Sequence, residues 1–267
     1  SGRRTSQWFP ESCPRSESLL SSIRQGTRPA VTYAHPIVSL RQGHTHAVEL
    51  LTRFQAPGGA MCTVGRLLED TGLPAEDRIR LDLLCLEGVF SALARHPITD
   101  SLLFVNLHPL TLTNSVFWER IRPWLWDLSI PPHRLVVEIT EAYALHDLDE
   151  LERLARKLRA MELRIAVDDL GAGSASLSNM ARLAPDFIKA DISLVHKVHR
   201  RPYQAALLNA LALFAERMRV GFIAEGIETA EELQAVVDAD VPFGQGFIFG
   251  EPGPLAASGA PTAASAS

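Results

Sequence analysis

Short apolar runs of β type recur along the chain, separated by stretches in which apolar residues return every three or four positions. The runs are VTYAHPIV (31–38), AVELLTRF (47–54), SLLFVNL (101–107), RLVVEIT (134–140), LRIAVDD (163–169), DFIKAD (186–191), VGFIAE (220–225) and PFGQGFIFG (242–250). Helical spacing marks AEDRIRLDLLCLEGVFSALAR (75–95), DLDELERLARKLRAM (147–161), RPYQAALLNALALFAERM (201–218) and TAEELQAVVDA (229–239). The second of these opens with acids and closes with bases, as the helix dipole favours, and the last starts at Thr229, a natural N-cap. Strands that alternate with helices predict an α/β fold, here a single (β/α)8 barrel of TIM type. A doubly wound open sheet is the competing arrangement. Only SLRQGHTH joins the first two runs, too little for a crossover helix, so the pattern predicts an antiparallel first strand in a modified barrel.

The flanks differ in character. Residues 1–28 are polar and punctuated and read as a linker or the remnant of an upstream domain; 29–254 read as the barrel; 255–267, rich in Ala, Ser and Pro, read as a disordered tail. Among 267 residues, 46% are hydrophobic and 21% charged, ordinary for a globular domain, and the net charge of −5 excludes a long nucleic acid as partner. No run approaches the ~20 apolar residues of a membrane span. Cys13, Cys62 and Cys85 lack metal-ligand spacing and point to a reducing, cytoplasmic setting.

Candidate chemistry lies where the strands end. Glu49, Asn106, Glu138, Asp168 with Asp169, Lys189 and Glu225 interrupt otherwise apolar runs, and Glu228 and Gln245 follow in the last part of the chain. Side-chain alternation puts Glu49, Leu51 and Arg53 on one strand face, and Lys189 with Asp191 on another. Carboxylates gathered at one barrel mouth repel unless cations neutralise them, and an all-oxygen set selects hard ions, Mg²⁺ or Mn²⁺. Two such ions roughly 3.5–4 Å apart are a common device for in-line attack on a phosphodiester. Against this stands a plain network of salt bridges at a barrel mouth. His196 and His199 read as a solvated face, GAG (171–173) lacks a phosphate-loop pattern, and Ser174, Ser176 and Ser178 have no histidine to activate them. Trp118, Trp124 and Trp126 read as helix packing.

The segments ELLTR, VNL, EITE, DDLGAG, DFIKAD, AEGIE and QGF stand in the order and approximate spacing of the EAL-domain family, which the chain resembles from about Tyr33 to Pro252. Members of that family are barrel enzymes that hydrolyse the bacterial messenger cyclic di-GMP to linear 5′-pGpG. The resemblance implies that Glu49, Asn106, Glu138 and Asp168 hold one divalent cation and that Asp168, Asp169 and Glu225 hold a second. It implies that Lys189 polarises the attacking water, that Glu225 is the general base, and that Glu228 and Gln245 support the water network. Glu141 is implied to anchor the glycine-rich loop, and Arg53 and Asp191 to meet the substrate. A homodimer and an upstream sensory or regulatory domain are implied by the same likeness. Departures are Leu50 in the E-A-L triplet, Leu170 and Ala172 in the loop, Ala190 between Lys189 and Asp191, and Phe247 after Gln245-Gly246. None removes a ligand, although Ala172 lacks a hydroxyl that would order its loop. A silent barrel that senses the nucleotide or docks a partner is the alternative, with a barrel phosphodiesterase for another nucleotide behind it.

Overall fold

The computed structural model describes residues 30–55, 61–63, 73–140, 148–171 and 182–255. The polar segment 1–28, Glu141, Ala172, the three loop serines and the rest of the tail lie outside the described residues.

Eight strands close a ring: β1 (Ala30–Ser39), β2 (Thr45–Gln55), β4 (Leu102–Asn106), β5 (Leu135–Thr140), β6 (Arg164–Leu170), β7 (Phe187–Ala190), β8 (Gly221–Ala224) and β9 (Phe243–Gln245), which returns to β1. Pairing is parallel from β2 round to β9, and β1 runs antiparallel to both of its neighbours. The short loop between β1 and β2 thus does what its length requires. Two small strands extend the ring: β3 (Met61–Thr63) pairs antiparallel with the end of β2, and β10 (Gly253–Pro254) lies on the first half of β1. Leu255 follows, buried, with its N–H donated to Thr32 O at 2.9 Å.

The outer wall is helical: α1 (Ala75–Arg95), α2 (Pro109–Thr113), α3 (Ser115–Asp127), α4 (Leu148–Ala160), α5 (Ile192–Val195), α6 (Pro202–Met218) and α7 (Ala230–Asp238). Outward-facing Val48, Leu50, Val105, Val137, Ile139, Ile165, Ile188 and Phe222 pack against α1 (Leu86, Val89, Phe90), α4 (Leu151, Leu154, Leu158) and α6 (Leu208, Leu211, Ala215) in one continuous core. Each such side chain contributes about 1.5–3 kcal/mol by leaving water. The periodicity predicts α1, α4, α6 and α7 closely but not α2 and α3. Pro109, Thr113, Asn114 and Pro123 blur the repeat there, and side-chain caps from His108 and Asn114 start both helices. In α3, Trp118 donates to Leu112 O and Trp124 stacks on Phe90, whereas Trp126 is 85% exposed on the outward side, which corrects the packing role expected for it. The run 242–250 also differs from expectation: strand ends at Gln245, and Phe247–Phe249 form a 3-10 turn. Gly246 makes that break possible, because at φ +154° a Cβ would lie 2.2 Å from Ile227 O.

Inside the ring, alternation builds two tiers. Ile37, Ala47, Phe104, Val136, Ala166, Phe187, Ile223 and Phe243, one from each strand, form an apolar plug. Two residues nearer the mouth on the same faces stand His35, Glu49, Asn106, Glu138, Asp168, Lys189, Glu225 and Gln245. The residues singled out at strand ends are therefore one storey of the barrel interior, set directly on a hydrophobic floor.

A second buried acid lies outside this tier. Asp82 of α1 is 1% exposed and accepts from His108 N at 2.8 Å, and burial pushes its carboxyl up to about 7. Its folded pKa exceeds its unfolded one, so the stability it contributes is present in acid and is lost as pH rises through about 7. Asp82→Asn keeps an acceptor for His108 N–H and removes the titration. Urea midpoints between pH 5 and pH 8 should fall for the wild type relative to Asp82→Asn; parallel curves would contradict the buried, proton-holding carboxyl.

Candidate active site

The polar tier is organised by one lysine. Lys189 is 1% exposed, and its Nζ lies 2.8 Å from Glu138 Oε1, 2.7 Å from Glu225 Oε1, 3.4 Å from Asp168 Oδ1 and 3.6 Å from Glu49 Oε2. Glu49 is shared further: Asn106 Nδ2 donates to its Oε1 at 2.9 Å and Gln245 Nε2 to its Oε2 at 2.7 Å. Gln245 Nε2 also lies 2.8 Å from His35 Nδ1. Seven of the eight strands of the ring thus meet in one continuous set of contacts with the eighth, β7, which supplies the lysine.

Asp168 and Asp169 are adjacent, and on a regular strand their side chains would face opposite ways. Here the register between β6 and β7 shifts after Val167, and Asp169 adopts a left-handed backbone at φ +61°. Aspartate tolerates that conformation better than most residues, and Asp168 Oδ1 braces it by accepting from Asp169 N at 2.9 Å. The irregularity brings oxygens of Asp168, Asp169 and Glu225 within 4.8 Å of one another. A bulge at the strand end is what lets neighbouring acids converge on one point.

Burial disfavours the charged lysine, but Asp168, Glu138, Glu225 and Glu49 more than offset it and hold the ammonium firmly protonated. Burial also opposes ionisation of Glu49, yet Lys189 above all, with hydrogen bonds from Gln245 and Asn106, keeps its carboxyl well below the usual range. Glu138 goes the other way: burial, aided by the charges of Glu49 and Asp168, raises it well above the ordinary value against the pull of Lys189. Burial likewise pushes Glu225 up to about 8, with Asp168 and Glu49 adding to the rise and Lys189 opposing it. His35 is lowered to about 4 by burial, with Lys189 and Arg53 assisting, and is therefore neutral. One ammonium cannot support so many carboxylates: Glu49 stays readily ionised, while Glu138 and Glu225 are driven toward their protonated forms.

That imbalance is the test of whether a cation belongs here. Among the described residues, neither oxygen of Glu138 has a hydrogen-bond partner beyond its ion contact with Lys189. The donors are almost all carboxylate oxygens, as hard divalent ions require, and Asp168, Asp169 and Glu225 already converge. The residues fit such an ion.

The remaining expected residues lie around this tier. Arg53 shares the inward face of β2 with Glu49, nearer the mouth, and its guanidinium sits 6.0 Å from the centre of the Tyr33 ring. Glu228 is exposed at the rim, its backbone N–H held by Glu232 Oε2 at 3.1 Å. Asp191 spends Oδ1 on Ser193 N as the N-cap of α5. His196 and His199 do not join the tier; they meet Glu232 and Arg200 respectively. His35 escaped the sequence reading, although it interrupts the apolar first run and pairs in register with Glu49.

A closed barrel with one antiparallel strand, a mouth lined by carboxylates and a buried lysine among them define a candidate divalent-cation site at a barrel mouth. The chain belongs to the EAL domain family, whose sequence model matches residues 17–252. It is 30% identical over 244 residues to the probable cyclic di-GMP phosphodiesterase PdeA of Escherichia coli K12, covering 89% of this chain and 33% of that protein. Its structure aligns with the manganese/cy-diGMP complex of Klebsiella pneumoniae BlrP1 at a TM-score of 0.78 and 26% identity, over 88% of this chain and 58% of that one. The c-di-GMP complex of the PaMucR phosphodiesterase aligns at a TM-score of 0.74 and 28% identity, over 89% of this chain and 98% of that one. The chain spans between about a quarter and a half of the length of the curated relatives it matches. Among the described residues, no helix is long and apolar enough to cross a membrane.

Glu138→Gln tests the charge imbalance. It replaces a proton-holding acid by its neutral isostere, so the protein in EDTA should melt at or above the wild-type temperature. Mn²⁺ at about a hundred times its dissociation constant should stabilise the wild type by about 2.7 kcal/mol and the variant far less. A large loss of stability in EDTA would mean that Glu138 is an ionised partner of Lys189 and nothing more.

Proposed function

We propose that this barrel hydrolyses cyclic di-GMP to linear 5′-pGpG with the help of two divalent cations, Mg²⁺ or Mn²⁺. The reading is supported above all by one observation: strand alternation gathers Glu49, Asn106, Glu138, Asp168 and Glu225 in one tier around Lys189, and the bulge adds Asp169 beside Asp168 and Glu225. Five carboxylates, Glu49, Glu138, Asp168, Asp169 and Glu225, face one ammonium, and two divalent ions would bring that balance to zero. Glu49, Asn106, Glu138 and Asp168 would hold one, and Asp168, Asp169 and Glu225 the other. When bound, such ions polarise the phosphoryl oxygens and make a water acidic enough to attack at neutral pH.

The chain's own groups do the rest. Glu225 takes the proton from the attacking water; the cations it would help to hold favour its ionised form, the one able to accept. Lys189, charged and 2.7 Å from Glu225, aligns that water and offsets negative charge growing on the phosphorane. Gln245, steadied by neutral His35, fixes the orientation of Glu49. Glu228 closes the water network from the rim. Arg53, two residue pairs from Glu49 toward the mouth, presents a planar fork to phosphate or to a guanine edge, and Asp191 flanks the same opening. Glu141 anchoring the glycine-rich loop, a homodimer, a cytoplasmic setting and a regulatory domain joined upstream of the 29–254 unit complete the proposal.

A second reading has one observation in its favour. Lys189 alone makes ion contacts with four acids, an arrangement that also suits a silent barrel binding the nucleotide or a protein partner. Incubation with cyclic di-GMP and Mn²⁺ separates the two: the phosphodiesterase reading requires pGpG, and tight binding without product would replace it with the sensor. Asp168→Asn should lower turnover by about a hundredfold or more while cyclic di-GMP affinity in Ca²⁺ stays close to wild type. Equal losses in both would remove Asp168 from the reacting centre.

A further inference from the structure

Glu232 is buried and used by none of the steps above. It is 2% exposed in the first turn of α7. Part of its bonding is a capping box: Thr229 Oγ1 accepts from Glu232 N at 3.2 Å, and Glu232 Oε2 accepts from Thr229 N at 3.2 Å. A capping box needs only one carboxylate oxygen. The same Oε2 also takes Glu228 N at 3.1 Å, and Oε1 reaches across to Lys197 N at 2.8 Å, with His196 Nδ1 at 3.5 Å. Lys197 belongs to the segment that follows β7, the strand of Lys189; Glu228 belongs to the turn that follows β8, after Glu225.

These two connections touch again closer to the barrel. Glu225 N donates to Ala190 O at 3.1 Å. Gly226, at φ +70°, lies so close under Ile192 that a Cβ would stand 2.4 Å from Ile192 Cγ1. Lys197 itself holds a left-handed backbone at φ +56°, a strained choice for a lysine that its surroundings must maintain. Burial alone would favour a protonated Glu232, but the N–H groups of Lys197, Glu228 and Thr229, with His196 beside them, keep its carboxyl below the ordinary value. The carboxylate is therefore a charged clasp between the two rim connections that carry Lys189 and Glu225.

We infer that Glu232 is a positioning residue: by tying the Lys197 turn to the Glu228 turn it sets how Glu225 and Glu228 face Lys189. The inference rests on the proposed role of Glu225 and Glu228, but its first test does not need turnover. Glu232→Gln keeps size and one acceptor, and turns an amide N–H₂ toward backbone donors that the carboxylate satisfied. Thr229→Ala removes the helix cap and leaves the clasp. By amide exchange, the N–H of Lys197 should open about tenfold faster or more in Glu232→Gln, the factor carried by one charge-assisted hydrogen bond, and remain near wild type in Thr229→Ala.

The second readout is Mn²⁺ binding by calorimetry, with the Mn²⁺ concentration that half-saturates pGpG formation measured alongside. Both should weaken several-fold in Glu232→Gln and hold in Thr229→Ala, although each variant lowers the melting temperature. If both variants leave the Lys197 amide and Mn²⁺ binding as they were, Glu232 is a helix cap and the inference falls. If the chain forms no pGpG at all, the phosphodiesterase reading fails, and the exchange and calorimetry still decide the role of Glu232.

Discussion

A positive charge buried among carboxylates governs this structure. Lys189 has almost no access to water, so it is tolerable only because four acids approach it from other strands of the barrel. Those acids, for their part, outnumber it. Removing either side leaves charge stranded in a low-dielectric interior, a loss of several kcal/mol. The apolar plug beneath keeps water from relieving the strain from the closed side. Excess negative charge is thus built into the interior, and an added cation is its most economical remedy.

The two tiers show how little of this had to be engineered residue by residue. A barrel strand that supplies Phe104 to the floor supplies Asn106 to the tier above it, and the same step links Val136 to Glu138 and Phe187 to Lys189. Only Asp169 needs more than alternation, and it obtains it from a bulge and a left-handed backbone. The tier is thus built by alternation, with a bulge added at the one place where two adjacent acids must meet.

That division explains what could be read in advance. Polar residues that interrupt apolar runs at a constant phase declare themselves, so Glu49, Glu138, Lys189 and Glu225 were legible as a group, as were the eight runs and the antiparallel start. Convergence of Asp168 with Asp169 could be expected from the family resemblance alone; strand alternation would have turned the two apart, and a bulge has no one-residue signature in sequence. His35 was hidden because β1 runs the opposite way, so the mouth lies toward its beginning, where the eye does not look for strand-end residues. Helices α2 and α3 were hidden by their prolines and threonines. Nothing in the sequence singles out Glu232; its reach to Lys197, 35 residues away, is a tertiary fact. Trp126 was misjudged because aromatic content alone does not say which side of a helix faces the barrel.

The reversed direction of β1 also fixes an entrance. Ala30, its first residue, pairs with Phe54 beside the open end, whereas the loop into β2 turns at the closed end. In a barrel with all strands parallel, the first strand would start at the floor. Here the strand enters at the doorway of the cavity instead: Ala30 stands at the open end, on the same strand as His35 and beside the strand that carries Glu49.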